Sequence, residues 1–256
     1  MSLGLERAGM TTIGLCEIDP FCRQVLRKHW PEVWIHDDVR TLTTPLIRER
    51  CGHIDLIAGG VPCQPASTVG KRKGVHDERW LWPAYVQVLR AVKPVWMLAE
   101  NVRGFVGLEP HGVDWFIGEM EAIGYECEPF IMGARHIGAP HKRDRVWIVG
   151  RLADAQGCRQ LSRTRLRQNR EPHGRGELIG CGEVLCGTPW PARPGEQQHE
   201  WEAPRLLELP LGGEPDGVPI GLVRAANKHA LKAYGNAVVP QVVEAIGRAI
   251  MGDVWR

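Results

Sequence analysis

Cys63 stands in a setting that a buried structural cysteine does not need. The run Gly59-Gly60-Val61-Pro62-Cys63-Gln64-Pro65 follows the apolar stretch 54–58. Two glycines allow a sharp turn and close approach to a ligand, and prolines on both sides stiffen the loop around the thiol. A free cysteine is most often a small buried hydrophobe, and that reading stands for Cys63 taken alone. The flanking residues instead favour a presented nucleophile. The next apolar run, 95–99, ends at Glu100-Asn101-Val102. In an open α/β sheet the carboxyl ends of strands gather at one edge, where ligands bind, so a nucleophile and an acid would share a cleft. Glu100 by itself also reads as a solvated surface carboxylate.

The elements that must position these groups follow from periodicity. Apolar runs at 11–16, 54–58, 95–99 and 146–149 read as strands. Segments 20–30, 82–92 and 113–123 carry apolar residues at helical spacing, with Gly124 as a stop. Residues 1–150 thus form an α/β domain with a largely parallel sheet. From 151 to about 219 the pattern dissolves into Arg, Gln, Gly and Pro with scattered tryptophans. Order returns in a helix that starts near Pro240 and carries Val242, Val243, Ile246 and Ile250 on one stripe.

Bulk properties bound the function loosely. A chain of 256 residues, 43% hydrophobic, can bury one substantial core. Its net charge of +2 announces no nucleic-acid partner, so such a partner must be argued from patches. Arg159, Arg163, Arg165, Arg167, Arg170 and Arg175 form one, equally compatible with phosphate contacts and with a solvated loop. Eight cysteines without paired CxxC spacing, and no apolar run long enough to span a bilayer, fit a reduced cytoplasmic protein. Cys158, Cys181, Cys186 and His173 match no common zinc spacing, and no metal is expected.

Three ordered motifs make the reading specific. Gly60-Val61-Pro62-Cys63-Gln64-Pro65-Ala66-Ser67, Glu100-Asn101-Val102 and Arg143-Asp144-Arg145 resemble, in order, the motifs of the DNA cytosine-5 methyltransferases, most closely bacterial or prophage forms. Upstream, Glu17-Ile18-Asp19 and Asp37-Asp38-Val39 resemble the family segments whose carboxylates bind the ribose hydroxyls and adenine amino group of S-adenosylmethionine. Downstream, Ala233-Tyr234-Gly235-Asn236-Ala237-Val238-Val239-Pro240 is similar to its last motif, which returns to line the methyl-donor pocket.

The resemblance implies an α/β, Rossmann-like S-adenosylmethionine-dependent methyltransferase fold with a small irregular target-recognition insert. Residues 1–150 would be the catalytic domain, 151–222 a variable recognition region, and 223–256 a segment returning to the catalytic domain. It implies Cys63 as nucleophile, Glu100 as acid, and Arg145 with Arg143 as partners of the base and of Glu100. Glu17, Ile18, Asp38, Val39, Pro62, Leu81, Asn236 and Ala237 would line the cofactor site, and Gln64, Ser67, Asn101 and Val102 the substrate site. The implied partner is double-stranded DNA, with a companion restriction endonuclease in the same system and a monomeric enzyme. A transfer-RNA substrate and a non-catalytic relic are the alternatives.

The chain departs from the family at its start. Met1-Ser2-Leu3-Gly4-Leu5-Glu6-Arg7 resembles the helix after the family's first strand and glycine loop. Absence of that central strand would leave the strands on either side without a partner, and a start codon placed at an internal methionine is favoured over a relic. His141, Trp80 and the lack of an arginine-rich motif before Ala233 are smaller departures.

Overall fold

The computed structural model describes residues 1–62, 80–108, 110–139, 141–153, 233 and 235–252. The Cys63 loop and the arginine-rich segment lie outside the described residues, as do the cysteines and histidine weighed as zinc ligands. No described helix is long and apolar enough to cross a membrane.

In chain order the elements are α1 (Ser2–Arg7), β1 (Gly14–Cys16), α2 (Pro20–His29), β2 (Trp34–His36), α3 (Thr44–Cys51), β3 (Leu56–Gly60), α4 (Trp82–Val92), β4 (Trp96–Val102), α5 (Val113–Glu121), β5 (Tyr125–Met132), β6 (Arg145–Leu152) and α6 (Pro240–Met251). The strands form two sheets. β1 and β2 pair in parallel, and β3-β4-β6-β5 make a second sheet. β3 and β4 are parallel, whereas β6 runs antiparallel to both β4 and β5.

The expectation of a largely parallel sheet therefore fails over half of the larger sheet. Its cause is β5, which the sequence hides. Glu126, Glu128 and Pro129 break the apolar pattern of 125–132. Proline is tolerated because β5 closes the edge of the sheet, where an unpaired N–H position faces outward. The chain then returns through a short 3-10 turn (Ala134–Ile137) into β6, a connection that yields an antiparallel neighbour.

Helices cover both faces of the larger sheet. On one, Trp82, Tyr85, Val86 and Leu89 of α4 follow the i, i+3, i+4, i+7 rule and pack with Phe116 and Met120 of α5 against Met97, Ala99, Val146 and Ile148. On the other, Val242, Val243, Ile246 and Ile250 of α6 cover Leu98, Trp147 and Val149. These four side chains are each 8% exposed or less, and burying each stabilises the docking by ~1.5–3 kcal/mol. α1 lies along α6 at close range. A Cβ on Gly4 would collide with the Pro240 carbonyl, and one on Gly247 would lie 2.8 Å from the Ala8 Cβ. The helix expected to need a docking surface thus finds one on the sheet and on α1.

Close approach also fixes β3 beneath α4. A Cβ on Gly59 would lie 2.7 Å from the ring of Tyr85, whose hydroxyl donates to the carbonyls of Ile57 (3.4 Å) and Leu98 (3.1 Å). Gly59→Ala is expected to lower stability by about 1–3 kcal/mol, as overpacking does, in urea unfolding. An unchanged midpoint would show that Tyr85 yields freely.

Candidate active site at the β3, β4 and β6 ends

β4 extends three residues beyond the run expected from sequence. Antiparallel β6 continues the ladder, with Glu100 opposite Trp147, Asn101 opposite Val146 and Val102 opposite Arg145. Glu100 and Arg145 are therefore diagonal neighbours across the pair, near enough for long side chains to meet. They do meet: Arg145 Nε lies 3.0 Å from Glu100 Oε1. A second donor of Arg145, Nη1, reaches the Asp144 carbonyl at 3.0 Å and fixes the plane of the guanidinium.

Glu100 is only 8% exposed. Burial raises its carboxyl above the ordinary glutamate value, while the guanidiniums of Arg145 and Arg143 and the amino group of Met1 draw it back. The Met1 amine is itself lowered by burial and raised by Glu100. A carboxyl held by these opposing effects can keep a proton that a surface glutamate would lose.

Asn101 faces the opposite side of the sheet and is 3% exposed. Its Nδ2 donates to the Val61 carbonyl at 3.0 Å, and its Oδ1 accepts from the Val102 amide at 2.8 Å. This carboxamide ties the end of β4 to the backbone that leads from β3 into exposed Pro62 and onward to Cys63. Gln64 and Ser67 fall with Cys63 outside the described residues.

A second group of candidates gathers where β1 and β2 end. Cys16 pairs with His36, so the loops carrying Glu17-Ile18 and Asp38-Val39 emerge side by side. Glu17 Oε1 accepts from the Asp19 amide at 2.7 Å, and Arg23 Nη1 holds the Glu17 and Ile18 carbonyls. Ile18 is 54% exposed, an apolar side chain in water at the loop tip. Asp38 caps the 3-10 turn at Val39 and binds Arg40 at 2.6 Å. The hydrogen bonds from Arg40 lower its carboxyl below the ordinary aspartate value. The thiol of Cys16, a residue exposed at its surface, is pushed up to about 12 by partial desolvation and by Asp38, Glu17 and Asp37, so that little thiolate forms at neutral pH.

Asn236 and Ala237 are exposed and lead into α6. They are held by Arg143, whose Nη2 donates to the Gly235 carbonyl at 2.8 Å and to the Ala237 carbonyl. Arg143 adopts φ +40, in the left-handed region that non-glycine residues rarely enter. Such strain persists only where surrounding contacts hold it, and the two carbonyls are contacts of that kind. Leu81 stands at the N-cap position of α4 and packs against the core beside it.

Comparison with known proteins is decisive at this point: a model of C-5 cytosine-specific DNA methylases matches residues 1–179. The chain belongs to that family. Among curated relatives, the type II methyltransferase M.NgoMIV of Neisseria gonorrhoeae is 38% identical over 151 residues, covering 58% of this chain and 47% of its own. M.AquIA of Picosynechococcus is 33% identical over 172 residues, covering 59% of this chain and 66% of its own. The chain spans about half the length of the curated relatives it matches. The DNMT2 E260A/E261A/K263A mutant of Spodoptera frugiperda shares the fold at TM-score 0.52, with 20% identity over 63% of this chain and 49% of its own.

The cytosine-5 methylase family assignment bears out the resemblance and the fold class read from sequence. Sequence reading did not find the clasp between Arg143 and the C-terminal segment, nor the bond from Asn101 to Val61. Both bind a side chain to a backbone carbonyl some 40 or more positions away in sequence, and a carbonyl leaves no mark in the choice of residue.

Proposed function

We propose that this protein methylates C5 of cytosine in DNA, with Cys63 as covalent nucleophile and S-adenosylmethionine as methyl donor. The observation that carries the reading is buried Glu100 at the end of β4, paired with partly buried Arg145, next to the strand that leads to Pro62 and Cys63. Cytosine C5 is a poor nucleophile. Addition of the Cys63 sulfur to C6 makes C5 enamine-like, and the covalent bond splits one difficult step into two. Charge then develops toward N3 and O2 of the base. Protonated Glu100 serves N3 as hydrogen-bond donor, and Arg145 steadies Glu100 while facing O2. S-adenosylmethionine, when bound, supplies an electrophilic methyl group for C5. Loss of the C5 proton and of the Cys63 sulfur restores the aromatic ring.

The cofactor residues fit a nucleoside. Two loops from adjacent strand ends offer Glu17 and Asp38 as acceptors for hydroxyl and amino groups, with exposed Ile18 as an apolar surface for a ring. The target base must leave the duplex, which costs a few kcal/mol, and phosphate contacts from the arginine-rich segment would offset that loss. The setting that follows is a cytoplasmic monomer acting beside a companion restriction endonuclease.

Calorimetry with S-adenosylmethionine and the 256-residue chain, followed by labelled methyl transfer to duplex DNA and to transfer RNA, tests the proposal. Saturable cofactor binding and label in DNA are expected. Absence of cofactor binding supports the relic instead, and label in transfer RNA alone changes the substrate.

Arg143→Met should release the Gly235–Ala237 backbone. A hydrogen bond from a charged donor contributes about 1.5–3 kcal/mol, so the KM for S-adenosylmethionine should rise roughly 10- to 100-fold. The KM for DNA should change little. A rise in the DNA constant alone would place this arginine on the base.

A further inference from the structure

The turn that carries Arg143, Asp144 and Arg145 is held by a residue outside it. Between β5 and β6 the chain goes out through the 3-10 turn Ala134–Ile137 and comes back through Lys142, Arg143 and Asp144. Arg135, on the outgoing limb, meets the returning limb twice. Its amide donates to the Lys142 carbonyl at 3.4 Å, and its Nη2 lies 3.1 Å from Asp144 Oδ2. It therefore grips the residues on either side of Arg143, one by its main chain and one by its side chain.

Three features show what depends on that grip. The Asp144 side chain is 15% exposed, and its Oδ1 is buried with no hydrogen-bond partner among the described residues. A carboxylate so placed needs a counter-charge, and among the described residues Arg135 supplies it. Gly133 makes the close approach possible. A Cβ there would lie 2.5 Å from the Lys142 carbonyl oxygen and 2.6 Å from Asp144 Oδ1. Arg143, between the two gripped residues, is the one at φ +40. In a continuous strand Arg143 and Arg145, two positions apart, would project from one face. The left-handed turn breaks that run. Arg143 reaches the carbonyls of Gly235 and Ala237, while Arg145 enters β6 and meets Glu100.

We propose that Arg135 is a positioning residue: by gripping Lys142 and Asp144 it holds the turn at Arg143, and thereby both the backbone of 235–237 and the approach of Arg145 to Glu100. It acts through its neighbours rather than on a substrate. The catalytic meaning of this grip rests on the proposed function, whereas its geometry does not.

Hydrogen exchange on the 256-residue chain tests the grip. The Ala237 amide donates to the Ala233 carbonyl at 2.9 Å and reports on the segment that Arg143 holds. Arg135→Met is expected to speed exchange at this amide about tenfold, and Arg135→Lys, which keeps a cationic donor for Asp144, less than about threefold. In the Arg143→Met background Arg135→Met should add nothing, because residues that act through one contact are not additive. Asp144→Ala leaves no buried charge unpaired, should give the same local change, and takes the place of Arg135→Met if that variant does not fold. Calorimetry supplies the functional readout. Arg135→Met should weaken S-adenosylmethionine binding about fivefold or more in the otherwise unaltered chain, and less than about twofold in the Arg143→Met background. Exchange at Ala237 that neither Arg135→Met nor Asp144→Ala changes overturns the proposal, as do effects of Arg135→Met that persist in full without Arg143. Equal acceleration throughout β5 and β6 also overturns it, since it marks loosening of the whole sheet. Absence of cofactor binding by the unaltered chain counts against the proposed function instead, and exchange then decides the grip.

Discussion

Cys63→Ala is expected to abolish methyl transfer to DNA, with a loss of about four orders of magnitude or more, the scale seen when a covalent nucleophile is removed. The expectation follows from the chemistry of the ring. Without sulfur on C6 there is no enamine character at C5, and neither Glu100 nor Arg145 can supply it. Folding should be unaffected, because Asn101 holds the Val61 carbonyl just before Cys63 through a contact the substitution does not touch. Transfer assays with matched urea unfolding check both statements. Substantial residual activity in a folded variant would require another nucleophile, and Cys16 is unsuited because its thiol is pushed up to about 12.

Glu100→Gln should lower kcat by about 10²–10⁴, the usual worth of a positioned acid. Its pH behaviour is more diagnostic than its size. Burial raises the Glu100 carboxyl in the folded protein, so the native state keeps this proton at pH values where the unfolded chain has lost it. The stability tied to that proton is fully present below the ordinary glutamate value and declines as pH rises through the raised one. Activity that depends on protonated Glu100 should fall across the same alkaline limb. In the glutamine variant both limbs should flatten. A pH profile that keeps its limb after the substitution would assign the titration to another group.

Much of this was legible in the chain because the informative residues are local. The carboxylates Glu17, Asp38 and Glu100 stand at or just after strand ends, as the apolar runs before them indicate. α4 was bounded correctly because Trp82, Tyr85, Val86 and Leu89 keep helical spacing and Pro83 marks its first turn. α3 went unread, since Arg48, Glu49 and Arg50 leave only Ile47 buried on it. β5 was missed because its pattern records an edge position rather than a core one. The length of β4 depended on β6, and no feature of residues 96–102 reveals an antiparallel partner near residue 150.

The account places the nucleophile on Cys63, and covalent trapping tests that most directly. Duplex DNA carrying 5-fluorocytosine at the target position, incubated with this chain and S-adenosylmethionine, is predicted to form a stable adduct, because fluorine cannot leave C5 as a cation. Peptide mapping should find the base on Cys63, with no adduct from Cys63→Ala. An adduct that persists in the alanine variant, or that maps to another residue, would contradict the account.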